Sequence, residues 1–165
     1  MAEPHERRAD IAWSGDLEGG TGTIWGASVG LRQILVNWPS RAESSGGWTG
    51  PEELLAAAQA GSYAMALARE LGVEQTVAQR LDVSVTFTVE VDDGSPRVTQ
   101  AHINAMAMGT DIEQEAFDKA AKAALEACSI TALVRGSADV SLEASVRDYR
   151  VKVGQAEQKA AGRKA

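Results

Sequence analysis

The sequence predicts an α+β protein with helices on a mostly antiparallel sheet. Three observations lead there. Residues 81–91 alternate strictly between apolar and polar side chains, which is the period-2 signature of a strand with one buried face. Residues 49–72 carry a helix start, a long small-apolar run and a closing glycine. The predicted order β-β-β, long helix, β-β, helix, helix, β segregates helices from strands rather than alternating them.

Taken in order, Ala9–Asp16 sets Ile11 and Trp13 against Ala12 and Ser14, and Thr21–Gly26 and Val29–Val36 follow as two more strands. Glu18-Gly19-Gly20 marks a tight turn between the first two, because glycine reaches positive φ without steric cost. Pro39 to Gly50 reads as a loop rich in Ser, Gly and Trp that carries Arg41 and Trp48. Thr49-Gly50-Pro51-Glu52-Glu53 then supplies a cap-type residue, a proline near the first helical position and first-turn acids. Leu54, Leu55, Ala58, Ser62, Met65 and Ala66 recur at i, i+3, i+4 spacing, and Gly72 closes the helix. Its many alanines suit burial nearly all round and close approach to neighbours, so a homodimer is expected to cover it. Glu74–Arg80 reads as a loop or a short helical turn.

Asp92-Asp93-Gly94-Ser95-Pro96 turns the 81–91 strand into Arg97–Met108. Ile112–Ala127 is an amphipathic helix with Phe117, Ala121 and Leu125 on one side. Cys128–Val134 starts a second short helix, and Ala138–Val151 alternates as a final strand. One domain is expected over 1–153, with a polar tail over 154–165 that is frayed or disordered.

Composition narrows the function. The chain has 165 residues and a net charge of −7, with a pI of about 4.9, which argues against nucleic acid or an anionic membrane as partner. No apolar run approaches the ~18 residues of a membrane span. The N-terminus MAEPHERRAD lacks an apolar signal region, so a cytoplasmic location is expected. Cys128 is the single cysteine, which excludes an intrachain disulfide. His5 and His102 are the only histidines and have no cysteine at metal-ligand spacing, so neither metal nor cofactor is expected. Gly19-Gly20-Thr21-Gly22 lies between strands and lacks the Lys-Ser/Thr of a phosphate loop. A Gly-x-Ser-x-Gly elbow is absent, and no histidine base stands near a serine in sequence.

One stretch is specific. Pro51-Glu52-Glu53-Leu54-Leu55, then small residues, Gln59-Ala60-Gly61-Ser62-Tyr63 and Ala64-Met65-Ala66-Leu67 resembles the signature helix of the OsmC/Ohr family of thiol peroxidases. Trp13-Ser14-Gly15-Asp16-Leu17 and Gly22-Thr23 resemble the opening hairpin of its OsmC branch, and Cys128 falls where the family has its second cysteine. The resemblance covers roughly residues 9–150. It implies mostly antiparallel sheets wrapped around long central helices in an intertwined homodimer. It also implies reduction of small organic hydroperoxides by a thiolate in an apolar interface pocket, in defence against oxidative stress. By position, the peroxidatic cysteine falls on Ser62, the resolving cysteine on Cys128, the acid on Glu52 and the arginine on Arg41.

The departure at Ser62 is chemical. A peroxidatic thiol works through a soft thiolate and ends as a sulfenic acid that condenses with a second thiol. A serine hydroxyl is scarcely ionised and has no such ladder, so the standard thiol cycle should be absent. Gln59, where the family often has His or Tyr, and Ser129, where it often has Pro, depart as well.

Alternatives stand open at each position. Ser62 is a natural loss of the nucleophile, an engineered replacement, or a helix serine bonded to the backbone. Cys128 is a relic or a small buried hydrophobe. Glu52 is the arginine's partner or a first-turn acid complementing the helix dipole. Arg41 tunes a thiolate or is a solvated loop charge. Trp25, Trp38 and Trp48 line a pocket or pack in a core or interface. The second functional reading is a noncatalytic paralogue that binds a small apolar ligand in the dimer-interface pocket. Glu52 and Ser62 are ten residues apart, about 15 Å along one helix, so they could meet only across an antiparallel partner helix.

Overall fold

A computed structural model describes residues 4–42 and 46–148. The expected tail at 154–165 and the end of the last strand beyond 148 lie outside the described residues. The chain divides into two compact units, Met1–Leu55 with Val89–Arg97, and Ala56–Thr88 with Val98–Ala165.

The first unit holds a three-stranded antiparallel sheet in the order β1 (Ala9–Ser14), β2 (Thr21–Gly26), β3 (Arg32–Asn37). Asp16 builds the first turn. Its carboxylate accepts from the Gly19 N–H at 2.8 Å and its carbonyl from the Gly20 N–H at 3.0 Å. In β2, Gly22 pairs with Trp13 on one side and Val36 on the other. A Cβ there would come within 2.8 Å of Val36 and 2.9 Å of Ile11, so the glycine lets these side chains close over the strand. The expected third strand begins three residues late, because Val29–Leu31 forms a single 3-10 turn.

A short helix α1 (Trp38–Ala42) occupies the start of the expected loop. The Asn37 side chain accepts from the Ser40 N–H at 2.9 Å, as an N-cap does, and Pro39 suits a first turn. The Ser40 hydroxyl donates to the carbonyls of Asn37 and Thr49, and the Thr49 N–H donates to the Leu35 carbonyl. These bonds fix the chain where the long helix α2 (Pro51–Val73) begins.

The second unit holds most of α2, most of β4 (Arg80–Asp92) and of β5 (Ser95–Gly109), whose connecting tip at Val89–Arg97 belongs to the first unit, and then α3 (Gln114–Ala127), α4 (Ser129–Val134) and β6 (Asp139–Asp148). The two-residue turn Asp93-Gly94 joins β4 to β5 with both residues at positive φ, the type I′ pattern. Strand order is β4-β5-β6, and β5 and β6 run parallel, from Gln100↔Asp139 to Gly109↔Asp148. Parallel neighbours need a long crossover, which α3 and α4 supply.

The core is built from Tyr63, Leu67 and Leu71 of α2, Ile103, Ala105 and Ala107 of β5, and Phe117, Ala120, Ala121 and Ala124 of α3, together with Cys128. Alternation on β5 does this directly: Ala101, Ile103, Ala105 and Ala107 are buried while His102 faces outward. Gln114 ties α3 to β6, donating to the Ala144 carbonyl and accepting from the Val146 N–H at 2.9 Å. On α2 the buried stripe is Gln59, Tyr63, Leu67 and Leu71. Of the stripe that the sequence favoured, Leu55, Ala58 and Met65 are exposed, Met65 at 71%, while Leu54, Ser62 and Ala66 are half-buried and Ala66 packs against the core. Alanines are spread around the helix, so periodicity alone could not select the face.

Candidate active site

Two pairs of side chains come together, one in each unit. In the first, the Arg41 Nε donates to Glu52 Oε1 at 2.8 Å, so the arginine is not simply a solvated loop charge. Arg41 ends α1 and Glu52 opens α2, and the Ser40 hydrogen bonds hold the two segments together.

In the second pair, Cys128 Sγ donates to Ser62 Oγ at 3.2 Å across 66 residues of sequence. The local fold explains the meeting. The Cys128 N–H closes α3 on the Ala124 carbonyl, and its sulfur accepts from the Thr131 N–H at 3.4 Å as the N-cap of α4. The cysteine therefore sits at the corner between two helices, with its side chain turned onto α2. Ser62 stands between the buried stripe and the exposed apolar edge of α2 that carries Met65.

The surroundings tune the thiol. Burial pushes the Cys128 pKa up. Hydrogen bonds from Ser62, from Thr131 through side chain and backbone, and from the Ile130 backbone outweigh burial and hold the thiol below its ordinary value. On ionisation the contact with Ser62 reverses, and the serine hydroxyl donates to the thiolate. Tyr63 lies in the same layer. Its hydroxyl donates to the Ala121 carbonyl at 3.0 Å, and burial, with the charge of Cys128 second, pushes its pKa well up, so it stays a neutral donor.

Two further residues complete the cluster, and sequence reasoning did not join them. Gln59 is fully buried and donates through Nε2 to the Thr131 Oγ1 at 3.2 Å, while its Oε1 has no hydrogen-bond partner. A polar residue one turn before Ser62 on an apolar face, and Thr at the third position after Cys128, were the available signals. Among the described residues, no group of three or more His, Cys, Asp or Glu could hold a metal.

Comparison with known proteins identifies the family and the fold. The sequence profile of the family described as OsmC-like protein matches residues 44–143. A peroxiredoxin OsmC of Escherichia coli (strain K12) is 26% identical over 146 residues, covering 88% of this chain and 96% of that protein. The fold matches that of the organic hydroperoxide resistance protein OhrB of Bacillus subtilis at a TM-score of 0.64 and 22% identity, over 83% of this chain and 97% of that one. An organic hydroperoxide resistance protein OsmC from Legionella pneumophila matches at 0.65 and 21%, over 88% and 98%. One from Elizabethkingia anophelis matches at 0.68 and 18%, over 90% and 99%. With the family profile matching more than half of its length, the chain belongs to the OsmC-like family.

Proposed function

We propose that this chain is a hydroperoxide-defence member of its family whose two-thiol cycle is interrupted at Ser62. The observation that carries the reading is the 3.2 Å contact between Ser62 Oγ and Cys128 Sγ. It brings the two side chains into direct contact, which supports reading them as a disulfide-forming pair with oxygen in the place of one sulfur. In that pair Ser62 would stand for the nucleophile and Cys128 for the resolving thiol, and Arg41 bound to Glu52 is the family's charged pair.

A homodimer is part of the proposal. Met65 on α2 and Leu133 on α4 are 71% and 74% exposed, apolar area that packing of a second copy would remove from water. The organic substituent of a hydroperoxide would lie against the same apolar surface. A lone thiol suits a reducing compartment, which supports the cytoplasm. Among the described residues no helix is long and apolar enough to cross a membrane.

The second reading is binding of a small apolar ligand at that interface without turnover, and the same exposed side chains favour it. Turnover of cumene hydroperoxide with a dithiol reductant separates the two, measured for the parent chain and for Ser62→Cys. Peroxidase activity appearing only in Ser62→Cys supports the interrupted cycle. Inactivity of both, with retained binding of an apolar probe, favours the ligand-binding reading.

A further inference from the structure

Charge is unevenly placed along the sequence. Residues 149–165 carry Arg150, Lys152, Lys159, Arg163 and Lys164 against one acid, Glu157. They hold a net charge of +4 in a chain of net −7, so the remainder stands at −11.

The fold fixes where that segment starts. β6 runs parallel to β5 and ends level with it, Asp148 beside Gly109, and Gly109 leads directly to Glu113 and the start of α3. Gln114 fastens this corner to β6 through the Ala144 carbonyl and the Val146 N–H. The basic residues therefore follow on a strand end that borders the first turn of α3.

An open cleft of about 650 Å³ lies at the same corner, between the end of α2 and the start of α3. Glu74, Glu113, Glu115 and Asp118 line it against Lys119 and Lys122. Lys119 is taken by Glu74 at 2.7 Å, and Asp118 accepts from Gln114 at 2.7 Å. Glu113 and Glu115 are exposed, and among the described residues their carboxylates have no partner. A second groove of about 300 Å³ shares Asp118 and Lys122 and continues along α3 beside Leu142 and Ala144 of β6. The helix dipole favours acids in a first turn, but it does not account for a run of cations in the chain that leaves beside them.

We propose that the basic segment 149–165 folds back in its own chain and docks in this cleft, with its Arg and Lys side chains opposite Glu113 and Glu115. A solvated ion pair is worth little alone. Tethering compensates for that. Arg150 is two residues from the strand end, at most about 7 Å of extended chain. A tether this short holds the cations near the cleft at an effective concentration on the order of millimolar. The contact is electrostatic, so salt weakens it. The cleft opens at the start of α3 and Cys128 follows its end, so this inference stands apart from the peroxide chemistry.

The test uses the full chain at low salt. Carbodiimide coupling joins amines to carboxylates in contact, and peptide mass spectrometry locates the links. A mixture of unlabelled and isotope-labelled chain tells links within a chain from links between chains. The expected result joins Lys152, Lys159 or Lys164 to Glu113 or Glu115 within one chain, and the links fade in about 0.5 M salt. Amide exchange over 149–165 should be about fivefold slower than in Glu113→Gln/Glu115→Gln, the worth of two such pairs. Both substituted side chains are exposed, and thermal melting checks that the variant keeps its fold. Glu113→Lys/Glu115→Lys should abolish the protection, and adding Arg150→Glu/Lys152→Glu should restore it. Equal exchange in parent and Glu113→Gln/Glu115→Gln overturns the proposal, as do links scattered over acids away from the cleft. Links found only between chains overturn docking within one chain. Protection that appears only when an anionic polymer such as heparin is added assigns the segment to an outside partner and overturns it as well.

Discussion

Replacing Ser62 by cysteine should create a disulfide to Cys128, and the size of its effect can be worked out in advance. The two side chains already touch, with oxygen and sulfur 3.2 Å apart, and they are separated by 66 residues. Closing an S–S bond of about 2.05 Å therefore asks for a shift of roughly 1 Å, shared between two side chains. Cross-linking a loop of this length removes chain entropy from the unfolded state worth about 4 kcal/mol at 25 °C. For a chain of this size that corresponds to a rise in Tm of roughly 8–16 °C, less whatever strain the shift leaves behind. The assay is thermal unfolding of oxidised and reduced Ser62→Cys, with thiol titration to confirm that both sulfurs are consumed within one chain. Reduction should bring Tm back close to that of the parent. Two free thiols surviving under oxidising conditions in the folded variant would refute the reasoning, because the placement of Ser62 against Cys128 would then not be that of a disulfide pair.

Further tests address single contacts. Ser62→Ala removes the strongest of the hydrogen bonds that lower the Cys128 pKa, so the thiol should titrate higher, read from thiolate absorbance against pH. Because that pKa is lowered on folding, the parent should gain stability as pH rises from the folded pKa towards the unfolded one; the gain is lost as pH falls, and Ser62→Ala should shrink it in denaturant melts. Phe117→Ala empties a fully buried site and should cost about 3–5 kcal/mol in urea unfolding. Tyr63→Phe should cost about 1 kcal/mol by losing the bond to the Ala121 carbonyl. A double-mutant cycle on Arg41 and Glu52 should return a coupling of about 0.5–1 kcal/mol, as expected for a partly solvated pair.

What the sequence made legible follows from what its patterns encode. The alternation from Leu81 to Val91 and the Asp93-Gly94 turn depend on neighbours two to four residues apart, and the hairpin forms as they indicate. Alternation tells which side chains share a face but not which way a strand runs, so the parallel pairing of β6 with β5 was not readable. The capping signal of α1 was present in Asn37 and Pro39, yet Gly- and Ser-rich sequence around it outweighed five helical residues. Ser62 and Cys128 were joined only through family resemblance, since no local rule reaches across 66 residues. The Gln59–Thr131 bond spans 72 residues and had no resemblance to announce it.

The corner between α3 and α4 holds the Cys128 sulfur under two helices. It makes the only thiol in the chain a built-in gauge of local breathing. A bulky disulfide reagent cannot meet a sulfur that is 2% exposed until α4 lifts from α2. When closing outruns labelling, the slowing of the reaction relative to a free thiol measures the equilibrium for that lift. Compared with the free energy of global unfolding, it would report whether the helix corner opens alone or only when the whole second unit melts.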